Sequence, residues 1–93
     1  MTSRVVNKYK EPYDIYIGRG SAWGNPFVIG EHGTREEVIQ KYEIMLKNNI
    51  RSGAVTIDDL KALDGKVLGC FCKPKPCHGD VIIRAINWAM KQA

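Results

Sequence analysis

The order of hydrophobic patterns along this chain predicts a small single-domain α/β layer, a three-stranded mixed sheet packed with three helices. Three observations lead there. Apolar or alternating runs at residues 3–7, 14–17 and 66–71 have strand lengths. Two later stretches combine helical spacing with a helix start signal. The last apolar run passes through one loop into a further amphipathic stretch, so the order is strand, strand, helix, helix, strand, helix. With 93 residues and 44 % hydrophobic content, the span 1–93 reads as one compact domain.

Residues 3–7 form the first strand candidate, followed by a polar turn that Pro12 closes and a second strand at 14–17. A long loop runs to Gly33. Thr34 and Glu37 then have the spacing of a capping box, and Val38, Ile39, Tyr42, Met45 and Leu46 recur as one apolar stripe that ends near Asn48-Asn49. Thr56 caps a shorter helix carrying Leu60 and Leu63, and Asp64-Gly65 turns the chain into residues 66–71, the most apolar strand. The final helix spans about 80–91, with Val81, Ile82, Ala85, Ile86 and Ala89 on its buried face.

The loop before that helix is the most informative segment. Cys70, Cys72, Cys77 and His78 fall within nine consecutive positions that hold every cysteine of the chain. A strand-loop-helix junction suits a site, because unpaired N–H groups and the helix dipole favour an anion or a thiolate. On a reactive reading, Cys77 is the nucleophile, His78 the proton carrier, and Asp80 an acid, a base or the helix N-cap. On a metal reading, Cys70, Cys72, Cys77 and His78 hold zinc. Cys-x-Cys on an extended segment points its side chains to opposite faces, and adjacent Cys77 and His78 rarely reach one ion, so no metal is the preferred expectation. On a packing reading the cysteines fill a core, which suits Cys70 inside its apolar run. Pro74 and Pro76 stiffen the loop, and Gly79 permits close approach of the backbone.

The second motif, residues 14–27, begins as a strand and becomes a loop holding Gly18, Arg19, Gly20, Ser21, Trp23, Gly24 and Asn25. Freed backbone N–H groups and the fork of Arg19 would take a phosphate, Trp23 would stack on a base or ribose, and Ser21 and Asn25 would donate or accept hydrogen bonds. Cys72 and Lys73, from the other loop, complete the expected ligand-binding set. The glycine spacing misses the dinucleotide fingerprint, and no Gly-Lys-Ser/Thr follows. The alternative is a turn in which Trp23 and Phe27 act as hydrophobic plugs. His32, in a glycine-flanked loop, reads as a turn residue or as a second imidazole near the site.

Together, Tyr16-Ile17-Gly18-Arg19-Gly20, Trp23-Gly24-Asn25-Pro26-Phe27, Thr34-Arg35-Glu36-Glu37 and Leu68-Gly69-Cys70-Phe71-Cys72 through Cys77-His78-Gly79-Asp80 resemble a family of short bacterial and bacteriophage proteins. That family is known only as a domain of unknown function. The resemblance runs over residues 5–88 and implies a cytoplasmic, often phage-encoded single domain whose two motifs are its working surfaces. A fainter likeness links the Cys-His ending to another small uncharacterised bacterial family with Cys-His-Arg. Gly79 stands here in place of that arginine.

Charge points the same way. There are 14 Lys plus Arg against 10 Asp plus Glu, a net +4, with Arg4, Lys8, Lys10, Arg19, Lys73 and Lys75 in the N-terminal segment and both motif loops. No run approaches the roughly 20 apolar residues of a membrane span, and an odd cysteine count without an export signal suits reduced thiols in the cytoplasm. If 14–17 and 67–71 are parallel neighbours, both motif loops leave the same carboxyl edge of the sheet, where open α/β sheets bind ligands. The expected function is binding of a nucleotide or other phosphorylated small molecule, with turnover left open. The alternatives are a non-enzymatic phage or bacterial module contacting nucleic acid or a host protein, and a zinc-stabilised binding module. A homodimer is compatible with the modest core.

Overall fold

In the computed structural model, which describes residues 3–18, 20–70 and 77–92, the three apolar runs form β1 (Arg4–Asn7), β2 (Ile15–Tyr16) and β3 (Val67–Cys70). The most apolar strand is central, in the order β1-β3-β2. Both pairings are parallel, and Val5 and Ile15 flank the same Leu68. The sheet is therefore all-parallel, which corrects the expectation of a mixed one. The connections explain it. Residues 8–14 run back along the sheet instead of closing a hairpin: Lys8 N–H donates to the Cys70 carbonyl (2.8 Å) at one end, and Asp14 N–H to the Val67 carbonyl (2.8 Å) at the other. Helices then carry the chain from β2 to β3, as parallel pairing requires.

The helices are α1 (Arg35–Ser52), α2 (Ile57–Lys61) and α3 (His78–Met90). Two of them start on reciprocal caps. Thr34 Oγ1 accepts from Glu37 N–H while Glu37 Oε1 accepts from Thr34 N–H, and Thr56 and Asp59 repeat the exchange. Each cap residue is worth about 1 kcal/mol. α1 runs beyond the expected Asn48-Asn49 to Gly53, whose left-handed backbone (φ 87°) lets its N–H reach the Ile50 carbonyl. α3 begins two residues earlier than expected, because extended Cys77 serves as N-cap and the Asp80 carboxylate accepts its N–H at 3.3 Å.

Alternation along the strands sends Val5, Ile15, Ile17, Leu68 and Cys70 into one core with Tyr42 and Leu46 of α1, Leu60 and Leu63 around α2, and Val81, Ile82, Ile86 and Ala89 of α3. Burying a side chain such as Leu68 or Ile86 contributes about 1.5–3 kcal/mol. Val6, Gly69 and Tyr16 share the next register row and point to the opposite face, where the Tyr13 ring lies against Gly69. Buried Ser3 ties the start of the chain down by donating to the Leu63 carbonyl (2.7 Å). Among the described residues, no helix is long and apolar enough to cross a membrane.

The first turn of α3 meets the sheet so closely that a Cβ on Gly79 would lie 2.8 and 2.9 Å from the Val5 methyls and 3.0 Å from Ile17 Cδ1. Gly79→Ala should lower the unfolding free energy by about 1–3 kcal/mol, the usual cost of overpacking, despite alanine's better helix propensity. Urea denaturation measures this, and an unchanged midpoint would mean that α3 docks less tightly.

Candidate functional site at the carboxyl edge

Because the strands are parallel, the carboxyl ends of β1, β2 and β3 lie at one edge, and α3 begins there. The two motifs meet at this edge through His78. Its Nε2–H donates to the carbonyl of Ile17 at 2.7 Å, where the β2 ladder ends. The ring also stands edge-on to Tyr42, with centroids 4.9 Å apart, and the Tyr42 hydroxyl donates to the Trp23 carbonyl at 2.9 Å. Two residues from different helices thus hold both ends of the 17–23 loop. Burial pushes the Tyr42 phenol far above its ordinary value.

Within that loop much of the polar capacity is already spent. Ser21 Oγ donates to the Gly18 carbonyl (2.6 Å), and the N–H groups of Ser21 and Gly24 close local turns. Gly18 is overlain by the Tyr16 ring, which leaves no space for a Cβ. Gly20 has φ 90°, a backbone that glycine adopts freely. Asn25 Oδ1 accepts from Phe27 N–H (2.9 Å) while its Nδ2 donates to the Val38 carbonyl (3.1 Å), pinning the loop to α1. Trp23 packs half-buried against the core. His32 accepts the Val28 N–H at Nδ1 (2.9 Å) and stands edge-on to Phe27, so it builds its own turn.

Cys77 faces Cys70, with sulfur atoms 3.4 Å apart, and both side chains are buried. The hydrogen bond with Cys70 and burial push the Cys77 thiol far above its ordinary value. An exposed low-pKa thiolate needs the opposite environment. Asp80 is not the N-cap but the third residue of α3, and its carboxylate accepts the N–H of the N-cap Cys77. Cys77, His78 and Gly79 therefore each meet the sheet or the loop, while Asp80 closes the start of α3 itself. Among the described residues no three His, Cys, Asp or Glu side chains gather as a metal site, and His78 Nε2 is bonded to the Ile17 carbonyl. Arg19, Cys72 and Lys73 lie outside the described residues.

Sequence reading missed one contributor and named another only for its charge. Tyr42 looked like one residue of a core stripe, and nothing local signals its bond to Trp23. Lys8 follows β1 at the carboxyl edge, with its ammonium 4.7 Å from the Tyr16 ring centre. A separate groove of about 400 Å³ opens between α1 and α3, floored by Leu46, Ile50, Val81, Ala85 and Trp88. Glu43 on its wall is paired to Arg84 and Lys47, and no described residue of either motif loop lines it.

Fold and edge together define a class, a small α/β domain with a parallel three-stranded sheet whose two loop motifs interlock through a buried histidine. The chain belongs to the family described as domain of unknown function DUF4326, whose model matches residues 2–88. It is 47 % identical over 88 residues to an uncharacterised 12.4 kDa protein in the nrdA-td intergenic region of Enterobacteria phage T4, covering 95 % of this chain and 81 % of that protein. It is 33 % identical over 99 residues to an uncharacterised protein of Acanthamoeba polyphaga mimivirus, covering 87 % and 72 %. No solved structure matches the chain.

Two measurements probe this edge. Burial lowers the His78 pKa below its ordinary 6.5, against the carbonyls of Ile17 and Trp23 and the charge of Asp80, which favour the proton. The unfolded ring therefore binds a proton more readily, so stability is full above about pH 6.5 and declines as pH falls through that value. The urea midpoint should drop on acidification, and His78→Gln should flatten this slope; an equal slope in both proteins would remove His78 as its source. In native protein under reducing conditions, Cys70 and Cys77 should alkylate far more slowly than in urea. Peptide mass spectrometry of partly labelled protein checks this, and rapid native labelling of Cys77 would restore the nucleophile reading.

Proposed function

We propose that this chain is a cytoplasmic domain that binds a nucleotide or other phosphorylated small ligand at the carboxyl edge of its sheet. The observation that supports this most is the parallel topology, which brings the carboxyl ends of all three strands to one edge. Open α/β sheets bind their ligands at that place. Lys8 adds a cation there, and Arg19 follows β2 by three residues in sequence. In this reading Arg19, Lys73 and the N–H groups of Gly18 and Gly20 meet the phosphate, since that of Gly24 is bonded to the Ser21 carbonyl. Cys77, His78 and Asp80 hold the edge in shape, so the reading is of a binding domain first.

A second reading has one observation in its favour. The 3.4 Å between Cys70 and Cys77 sulfurs is near the separation of about 3.7 Å that two thiolates adopt on a tetrahedral ion with zinc–sulfur bonds of about 2.3 Å. Zinc content and chelation separate the two readings. The first expects less than one zinc per chain and an unchanged far-ultraviolet spectrum in chelator, whereas stoichiometric zinc with unfolding on its removal would establish a structural metal.

The ligand itself is sought by thermal shift across nucleoside phosphates and sugar phosphates, where a ligand held by the native state raises the midpoint. Arg19→Ala should leave the fold intact and weaken the best ligand by about 1.5–3 kcal/mol, the range for a hydrogen bond to a charged group. If no phosphorylated compound stabilises the protein, the proposal fails.

A further inference from the structure

Parallel sheets are ordinarily covered on both faces. Here the helices take the face of Val5, Leu68 and Ile17, while the face of Val6, Gly69 and Tyr16 is crossed by residues 8–14. That crossing is firmly held. Asn7 accepts from Tyr9, Lys10 and Glu11 N–H groups, Asp14 exchanges two bonds with Val67, and Tyr13 rests on Gly69. Yet it leaves aromatic surface in water, with Tyr9 77 % and Tyr13 42 % exposed.

Charge is arranged around these rings. The Lys8 ammonium sits 4.9 Å from the Tyr9 ring centre and 4.7 Å from that of Tyr16, and Lys10 is exposed beside them. The nearby acids are engaged, Glu11 with Arg4 at 3.2 Å and Asp14 with the Val67 N–H at 2.8 Å. Tyrosine rings on a rigid segment, interleaved with lysines, match unpaired bases followed by phosphates. A base pair inside a duplex cannot offer its ring face to such a surface. A two-fold contact with a second copy would bring both copies' lysines into one interface.

We propose that this face binds single-stranded nucleic acid, stacking bases on Tyr9 and Tyr13 and placing phosphates on Lys8 and Lys10. The inference shares Lys8 with the ligand of the carboxyl edge but needs neither Arg19 nor the Cys-His loop, so Tyr9→Ala and Arg19→Ala separate the two.

Fluorescence anisotropy of labelled oligo(dT), titrated with the full chain at two salt concentrations, tests it. Binding should weaken as salt rises, and Lys8→Ala should reduce the salt dependence by about one counterion. Tyr9→Ala should cost about 5- to 150-fold in affinity, whereas Tyr9→Trp should retain binding. Tyr9 is so exposed that neither change should alter the fold, which circular dichroism verifies. Absence of binding at low salt, equal affinity for a duplex of the same length, or an unchanged Tyr9→Ala affinity would overturn the proposal. So would a dimer in sedimentation that Tyr9→Ala dissociates, which would make the face a contact between copies.

Discussion

The carbonyl of Ile17 is the point on which this molecule's arrangement depends. A parallel strand that ends inside a protein leaves backbone acceptors that need a donor, and β2 is only two residues long. The donor comes from His78, 61 positions away, in the first turn of the helix that follows the central strand. That single bond joins the edge of the sheet to α3. Around it, Gly79 removes the side chain that would block the approach, Cys77 sets its sulfur against Cys70, and Tyr42 closes the far side of the ring. A buried imidazole suits the role because its neutral form still donates, without the desolvation penalty that a buried lysine or arginine would meet.

Much of this was legible in the chain. The Thr34–Glu37 spacing announced α1, Thr56 announced α2, and the uninterrupted apolar character of Val67-Leu68 marked a strand buried among neighbours, which is how central parallel strands read. The convergence of two loop motifs also followed, conditionally, once parallel pairing was supposed. What could not be read was partnership across distance. Nothing in Cys-His-Gly-Asp says that the histidine seeks a carbonyl at position 17, or that the aspartate turns back to cap its own helix. Residue types familiar from catalysis were here placed by packing and backbone satisfaction. Likewise Asn25 looked like a ligand contact until α1 supplied Val38 as its acceptor.

The two faces of the sheet are built from different materials. One is closed by three amphipathic helices whose apolar stripes meet in a continuous cluster. The other is closed by tyrosines, large enough to shield a strand while keeping a polar rim in water. Such a division explains how 93 residues serve a parallel sheet, an architecture that usually needs helices on both sides.

The central position of β3 has a consequence for how the chain comes together. β1 and β2 share no ladder with each other, since each pairs only with β3, and β3 lies some fifty residues after β2 in sequence. As the chain leaves the ribosome, neither early strand has a partner until the last third of the protein emerges. The sheet closes late, delayed by the loop entropy that non-local pairing must overcome. Until then the helices α1 and α2, with their self-contained caps, are the structures able to form from local sequence alone.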